Sequence, residues 1–165
     1  MRLLILALAA AVATPALAQP APGPPPPTKL FAPAAEIAAV LAQHRADQAA
    51  GKPSALGKPL INLAPYRTGL EYRTSVMAAA VHEKEAEWFY VVDGSGVVTT
   101  GGKLVNEKRM DAENLSGAGI EGGESRPVAK GDMFIVPENT PHWFSTINGA
   151  LVMFSMHVPR PVAKP

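Results

Sequence analysis

The 165-residue chain is 47% hydrophobic, which is enough for one well-buried domain, although the length is small for two. Its acidic and basic residues are scattered and leave a formal net charge of +1, so neither a nucleic acid nor an anionic membrane surface is indicated as a partner. The absence of cysteine excludes disulfides, thiol catalysis and thiolate metal sites.

Residues 1–18 have the features of a secretory signal peptide. Arg2 precedes an apolar run from Leu3 to Thr14, and a small-x-small pattern that signal peptidase accepts ends at Ala18. The run is shorter than the roughly 20 apolar residues that cross a bilayer, which favours cleavage over stable membrane insertion. The sequence therefore predicts an exported protein, either periplasmic or secreted.

Two further segments precede the main domain. Residues 19–32 include a run of prolines, which favours an extended spacer that cannot form a packed core. Residues 33–52 place Ile37 and Leu41 at helical spacing among alanines, which predicts an amphipathic helix. His44 lies at the edge of this apolar stripe, and we assign it no chemical role.

Residues 60–160 have the pattern of many short strands separated by glycine turns, which predicts an all-β barrel or sandwich. The segment 103–126 is polar and glycine-rich, and we expect a long excursion there with one short strand. The dipeptide Asn148–Gly149 is a strong signal for a tight hairpin. The expected strands are residues 70–82, 87–92, 133–136, 143–147 and 151–158, and the other expected turns are Asp93–Gly94 and Gly101–Gly102.

Two of these strand regions carry potential metal ligands. Antiparallel pairing across the turn 83–85 is expected to place His82 and Glu87 on one inner face, while the charges of the turn itself are expected to be solvated. His142 begins a later strand after a proline-bounded turn. A first-row metal needs imidazole and carboxylate groups that converge from different strands, and these three residues offer that set.

In these segments the chain resembles the cupin superfamily, in particular its small single-domain members. The resemblance implies a double-stranded β-helix, or jelly-roll, barrel that is often dimeric and carries a metal near one mouth. One departure matters, because Ala80 stands where the first cupin motif has its first histidine. The matching residues are His82, Glu87 and Gly94 in the first motif and Gly131, Pro137 and His142 in the second, in which Asn139 replaces a glycine and Thr146 an asparagine.

Two interpretations of the site stay open because of Ala80. In the first, His82, Glu87 and His142 bind Fe(II), Mn(II), Zn(II) or Ni(II), and the protein is a metal-dependent cupin dioxygenase, isomerase or lyase acting on a small polar metabolite. In the second, the barrel binds or senses a small molecule without a metal or catalysis. A structural role, in which a sheet face forms a homodimer and no ligand matters, is a third hypothesis.

Two further residues are candidates for a catalytic role. Strand alternation places Tyr72 on the same face as His82, with Arg73 on the opposite face. A hairpin at Asn148–Gly149 would bring the following strand beside His142, so that His157 reaches the same cavity. The alternative for His157 is a surface histidine at the end of a strand.

Overall fold

A computed structural model describes residues 27–52 and 57–161 of the chain. The predicted signal peptide and residues 19–26 of the predicted spacer lie outside the described residues. Within the described part, no helix is long and apolar enough to span a membrane. The elements in chain order are α1 (Ala34–Ala49), β1 (Lys58–Leu63), β2 (Tyr66–Arg73), β3 (Ala79–His82), β4 (Glu85–Thr100), β5 (Lys103–Val105), β6 (Lys108–Arg109), β7 (Asn114–Gly117), β8 (Gly119–Glu121), β9 (Glu124–Ala129), β10 (Met133–Val136) and β11 (His142–Pro159).

The strands form a jelly-roll β-barrel, which confirms the predicted all-β fold with an N-terminal helix. Its framework is the antiparallel pair β4 and β11, whose register runs from His142 opposite Thr100 to Pro159 opposite Glu85. Strands β2 and β3 also pair with β11, while β9 and β10 pair with β4. Strand β7 joins β3 to β6, and β5 with β8 forms a separate two-stranded sheet.

Two of the predicted turns are wrong, because Asp93–Gly94 and Asn148–Gly149 lie inside β4 and β11. The register of this strand pair shifts near both dipeptides, so they mark β-bulges at which the two long strands bend. Gly94 has a φ of +80°, and a Cβ there would lie 1.9 Å from the backbone oxygen of Ala150. Both dipeptides favour a turn by themselves, but the hydrogen bonds between β4 and β11 on either side of each bulge outweigh this local preference. The predicted turn at Gly101–Gly102 is confirmed between β4 and β5.

The strand expected at residues 70–82 is two strands, since β2 ends at Arg73 and β3 begins at Ala79. The two-residue alternation does not carry across this break. Tyr72 therefore faces the helix, where its hydroxyl hydrogen-bonds to Gln48 Oε1 at 2.6 Å, and Arg73 faces the cavity of the barrel. The expectation that Tyr72 lines the cavity is wrong, and its candidacy as a catalytic residue rested on that expectation.

Helix α1 packs on the outside of the barrel. His44 is buried rather than at the edge of the apolar stripe, and its ring stacks on Tyr72 with centroids 5.7 Å apart. At the other end of the helix, Lys29 of the predicted spacer forms two backbone hydrogen bonds with Asn62. The apolar cluster beneath the helix contains Leu60, Leu70, Tyr72 and Val152, with Ile37, Val40 and Leu41 packed against it.

The interior of the barrel is a second apolar cluster, and it adjoins the ends of the strands that carry the predicted ligands. Phe89 is fully buried at its centre, with ring centroids 5.0 Å from Phe134, 5.4 Å from Phe144 and 6.3 Å from His142. The apolar core and the cavity that holds the predicted ligands are therefore neighbours within one barrel.

The segment 103–126 is more regular than predicted. It contains β5, β6, β7 and β8 and the start of β9, in place of one short strand. Its strand β7 lies directly beside β3, with Asn114 opposite His82. The segment also contributes Ser116 to the lining of the cavity that holds the predicted ligands.

Candidate metal centre

The three predicted ligands come from the ends of three strands. His82 ends β3, Glu87 lies near the start of β4 and His142 begins β11. The expected pairing of β3 with β4 is not made, because β3 pairs with β7 and with β11, where Ala80 is opposite His142. The register of these ladders, rather than a hairpin at residues 83–85, brings the three side chains together.

The geometry of this group is compact. Glu87 Oε2 lies 3.4 Å from His82 Nε2 and 3.3 Å from His142 Nε2. One donor atom from each residue falls within 4.8 Å of the other two, so the group can hold a metal ion. The side chains of Glu87 and His142 are only 6% exposed, whereas that of His82 is 20% exposed.

A chain of hydrogen bonds sets the tautomer of His82. The Asn114 amide nitrogen donates to Asp111 Oδ1 at 2.8 Å, which turns the amide oxygen towards His82 Nδ1 at 2.6 Å. Because that oxygen can only accept, His82 Nδ1 carries a hydrogen. The Nε2 atom of neutral His82 therefore directs a lone pair at the Glu87 carboxylate, which is also an acceptor. This pair of acceptors is favourable only when a proton or a cation lies between them.

The turn before β11 holds His142 against His82. Asn139 occupies the left-handed region with a φ of 56°, and its backbone N–H donates to the His82 carbonyl at 2.8 Å. Asparagine tolerates this conformation better than most residues, so the replacement of a glycine in the motif leaves the turn intact. His142 Nδ1 lies 3.5 Å from the Thr140 carbonyl, which directs Nε2 towards Glu87.

Glu87 is a buried carboxylate surrounded by imidazoles. Among the described residues, its ion pairs are to His82, His142 and His157, and none is to a lysine or arginine. Burial opposes ionisation, but hydrogen bonds from His142, His157 and His82 outweigh it and hold the pKa of Glu87 well below its usual range. Burial likewise opposes protonation of His82, but the contacts with Glu87 and Asn114 prevail and raise the pKa of His82. The site therefore favours an ionised carboxylate with positive charge beside it.

The group lines a cavity of about 380 Å³. On its wall, Arg73 bonds through Nε and Nη2 to Glu71 Oε2, both at 2.7 Å, and the guanidinium lies 4.5 Å from the ring centroid of Phe144. Trp143 also faces the cavity, and its indole N–H donates to the Met77 carbonyl at 2.8 Å. A charge-neutral ion pair and apolar side chains thus share the wall.

The fold agrees with what comparison with known families finds. Residues 60–162 match the family profile described as Cupin. The chain belongs to the cupin family. Comparison with curated proteins finds no match.

Solved structures show the same cupin fold. Hydroquinone 1,2-dioxygenase from Sphingomonas sp. TTNP3, with 4-hydroxybenzoate bound, is 16% identical with a TM-score of 0.53, over 70% of this chain and 72% of that one. Hydroquinone 1,2-dioxygenase PnpCD, in complex with Cd²⁺ and 4-hydroxybenzonitrile, is 14% identical with a TM-score of 0.50, over 67% of each chain. A Bacillus halodurans protein is 17% identical with a TM-score of 0.48, over 71% of this chain and 80% of that one. At these identities the likeness to the two dioxygenases shows the fold alone.

The residues of this cupin site fit a divalent transition metal. Imidazole nitrogen and carboxylate oxygen are the ligands that such ions take in the absence of thiolates. The Asn114 side-chain oxygen accepts a hydrogen bond from His82 Nδ1, the ring nitrogen that would not bind the metal. Ligand histidines are usually oriented by a contact of this kind. Among the described residues, no lysine or arginine pairs with Glu87. The negative charge of Glu87 is therefore available to a cation bound between the three side chains.

The residues that support the ligands were harder to find from sequence. Asn114 and Asp111 lie in the segment 103–126, and no spacing signal links them to His82. Glu85 was expected to be solvated with the rest of the turn, yet its side chain is 15% exposed and accepts two hydrogen bonds from Arg67. The sequence does carry a signal for Glu85. It lies two residues before Glu87, and alternate residues of a strand face the same side.

Asn114→Ala is expected to weaken the binding of a divalent ion by about 10–100-fold, because His82 loses the acceptor that sets its tautomer and ring orientation. Competition against a chromophoric chelator measures this affinity. Ser116→Ala is the matched control, since Ser116 lies two residues further along β7 and its hydroxyl bonds to the Ala79 carbonyl. Equal affinities for the two variants would show that Asn114 does not support the site.

Proposed function

We propose that this protein is an exported single-domain cupin that binds Fe, Mn, Zn or Ni as a divalent ion and acts on a small polar metabolite. The observation that carries the proposal is the convergence of His82 Nε2 and His142 Nε2 on the buried, ionised carboxylate of Glu87. This two-histidine, one-carboxylate set leaves coordination positions for water and substrate. The bound ion would supply Lewis-acid or oxygen-activating chemistry.

The cavity supports a small ligand. Its volume of about 380 Å³ is near the lower end of the range for small-molecule sites, about 300–1,000 Å³. Arg73 and Glu71 contribute polar groups to the wall, and Trp143 contributes an apolar surface that the bond to Met77 holds in place. A molecule with polar groups on a partly apolar frame matches this wall, with its polar groups directed at the ion pair and at Glu87.

Export is supported by the signal peptide predicted at residues 1–18, and an exported chain would acquire its metal outside the cytoplasm. Cell fractionation with and without those residues tests this. The homodimer expected from the family resemblance stays a prediction, which sedimentation velocity on the purified protein tests.

The alternative is a binding or sensing module that works without a metal. The raised pKa of His82 favours this alternative, because a protonated imidazole can itself neutralise Glu87. In that case organic ligands bind the same cavity, and the histidines act as hydrogen-bond donors.

Metal analysis and thermal shift on one preparation separate the two functions. Protein stripped with EDTA is titrated with Fe(II), Mn(II), Zn(II) and Ni(II), with Mg(II) as the hard-ion control. The proposal expects one transition-metal ion per chain and a rise in melting temperature. Absence of a stoichiometric ion, with small-molecule binding that survives His142→Ala, would contradict it and favour the metal-free alternative.

A further inference from the structure

A third imidazole faces the same carboxylate. His157 lies on β11 directly opposite Glu87 on β4, and its Nε2 atom is 3.2 Å from Glu87 Oε1. His82 and His142 contact the other oxygen of that carboxylate, Oε2. The His157 ring also packs edge-on against His82, with centroids 4.9 Å apart, and it lines the same cavity. Glu87 is thus faced by the Nε2 atoms of three imidazoles. The group of donor atoms that lie within 4.8 Å of one another comprises His82, Glu87 and His142, so the His157 ring would shift towards an ion that the four residues share.

The position of His157 beside Glu87 does not depend on the predicted hairpin. The hairpin at Asn148–Gly149 does not form, and the long β4–β11 ladder sets the position of His157. Opposite His142, strand β3 carries Ala80, whose side chain is only a methyl group and which also lines the cavity. Position 80 on β3 therefore offers no metal donor, whereas His157, near the end of β11, offers an imidazole nitrogen to the same cavity.

We propose that His157 is the fourth protein ligand of the metal centre, and that it supplies from β11 the donor that position 80 on β3 lacks. This inference rests on the proposed function, because it requires that a divalent ion binds. It extends the site from a two-histidine to a three-histidine set with one carboxylate, and it leaves fewer coordination positions for water and substrate.

The two ring nitrogens of His157 face different carboxylates, Nε2 towards Glu87 and Nδ1 towards Glu85. Glu85 Oε2 lies 3.0 Å from His157 Nδ1, although the contact is not aligned as a hydrogen bond. The charge of Glu85 is already balanced by Arg67, which bonds to both of its oxygens at 2.8 and 2.7 Å. If the ring turned so that Nδ1 aligned with Glu85, Glu85 would accept the Nδ1 hydrogen and Nε2 would be left as the metal donor.

The test measures the affinity for Zn(II) and the number of imidazole ligands, the latter by X-ray absorption at the zinc edge. His157→Ala is expected to lower the affinity by at least about tenfold and to reduce the imidazole count from three to two. His44→Gln is the matched control, because His44 is the one other histidine of the chain and it packs against Tyr72 outside the cavity. This control should keep both the affinity and the count of the wild type.

The double variant Ala80→His with His157→Ala gives the decisive result. Position 80 faces the same cavity and lies opposite His142, so a histidine there should restore the count to three and recover most of the affinity. Recovery also shows that His157→Ala did not act by unfolding the barrel.

The failures of the two proposals are distinguishable. If the wild type binds no transition metal, the proposed function fails and this inference fails with it. If the wild type binds zinc but His157→Ala keeps the affinity and the count, only this inference is overturned. A loss of affinity that leaves the count unchanged, and that the double variant does not recover, would mean that His157 only orients Glu87, and this also overturns the inference.

Discussion

Glu87→Gln is expected to abolish the binding of a stoichiometric divalent ion and to lower metal affinity by more than about 100-fold. Loss of a residue that merely supports a ligand costs about 10–100-fold, and Glu87 is itself the carboxylate at the centre of the group. The substitution keeps the shape of the side chain but removes the one negative charge that the imidazoles surround. A neutral amide oxygen binds a divalent transition metal more weakly than a carboxylate does, and the imidazole donors of this site supply no negative charge to compensate.

Unfolding of wild type and variant, each with and without metal, measures this effect. At a metal concentration about 100 times the dissociation constant, binding should stabilise the wild type by about 2.7 kcal/mol, and the same metal should leave Glu87→Gln unchanged. Comparing each protein with its own metal-free form removes the effect of the lost ion pairs. Glu71→Gln is the matched control, because Glu71 is a second buried carboxylate on the same cavity and pairs with Arg73. Equal losses in the two variants would place the metal elsewhere.

Phe89→Ala is expected to lower the free energy of unfolding by about 3–5 kcal/mol. Phe89 is completely buried, and its ring packs against Phe134 and Phe144 at the centre of the barrel. Truncation removes this apolar surface and leaves a cavity that the surrounding strands cannot close, because β4 is held by β10 and β11 on either side.

Urea unfolding in the presence of EDTA measures this stability without any contribution from metal. Tyr90→Ala is the matched control, since Tyr90 is the next residue of the same strand, lies on the outer face and is 38% exposed. We expect the control to cost less than about 1 kcal/mol, as is usual for substitutions at the surface. A similar loss in both variants would mean that the barrel interior does not contain the main core.

Much of the site was predictable because its information is local. The spacing from His82 to Glu87 lies within one short segment, and the proline-bounded turn before His142 lies within another. Alternation along β4 also indicated which residues face inward, and it extends to Glu85 when the strand is begun there. These signals needed no knowledge of which strands are neighbours.

The errors share a cause, which is that pairing between distant segments outweighs local preference. The Asn148–Gly149 dipeptide favours a hairpin by itself, but β11 continues through it because β4 offers a partner along its whole length. Strand alternation puts Tyr72 in the cavity only if one strand runs through residues 74–78, and no strand exists there. His157 reaches the site as one interpretation expected, although by the β4–β11 register rather than by the predicted hairpin. Its catalytic role stays a prediction.

Signals within single segments were sufficient for the all-β fold, the N-terminal helix and the trio of His82, Glu87 and His142, because apolar periodicity and residue spacing can be read from one segment at a time. The residues of the two motifs carried the resemblance to the cupin family. The contacts through which Asn114 and Asp111 set the tautomer of His82, and the contact between Glu85 and His157, become visible only in the folded barrel. These contacts join strands that are far apart in the chain. Their identity depends on the register of one strand against another, which backbone hydrogen bonds and core packing select together in the folded barrel.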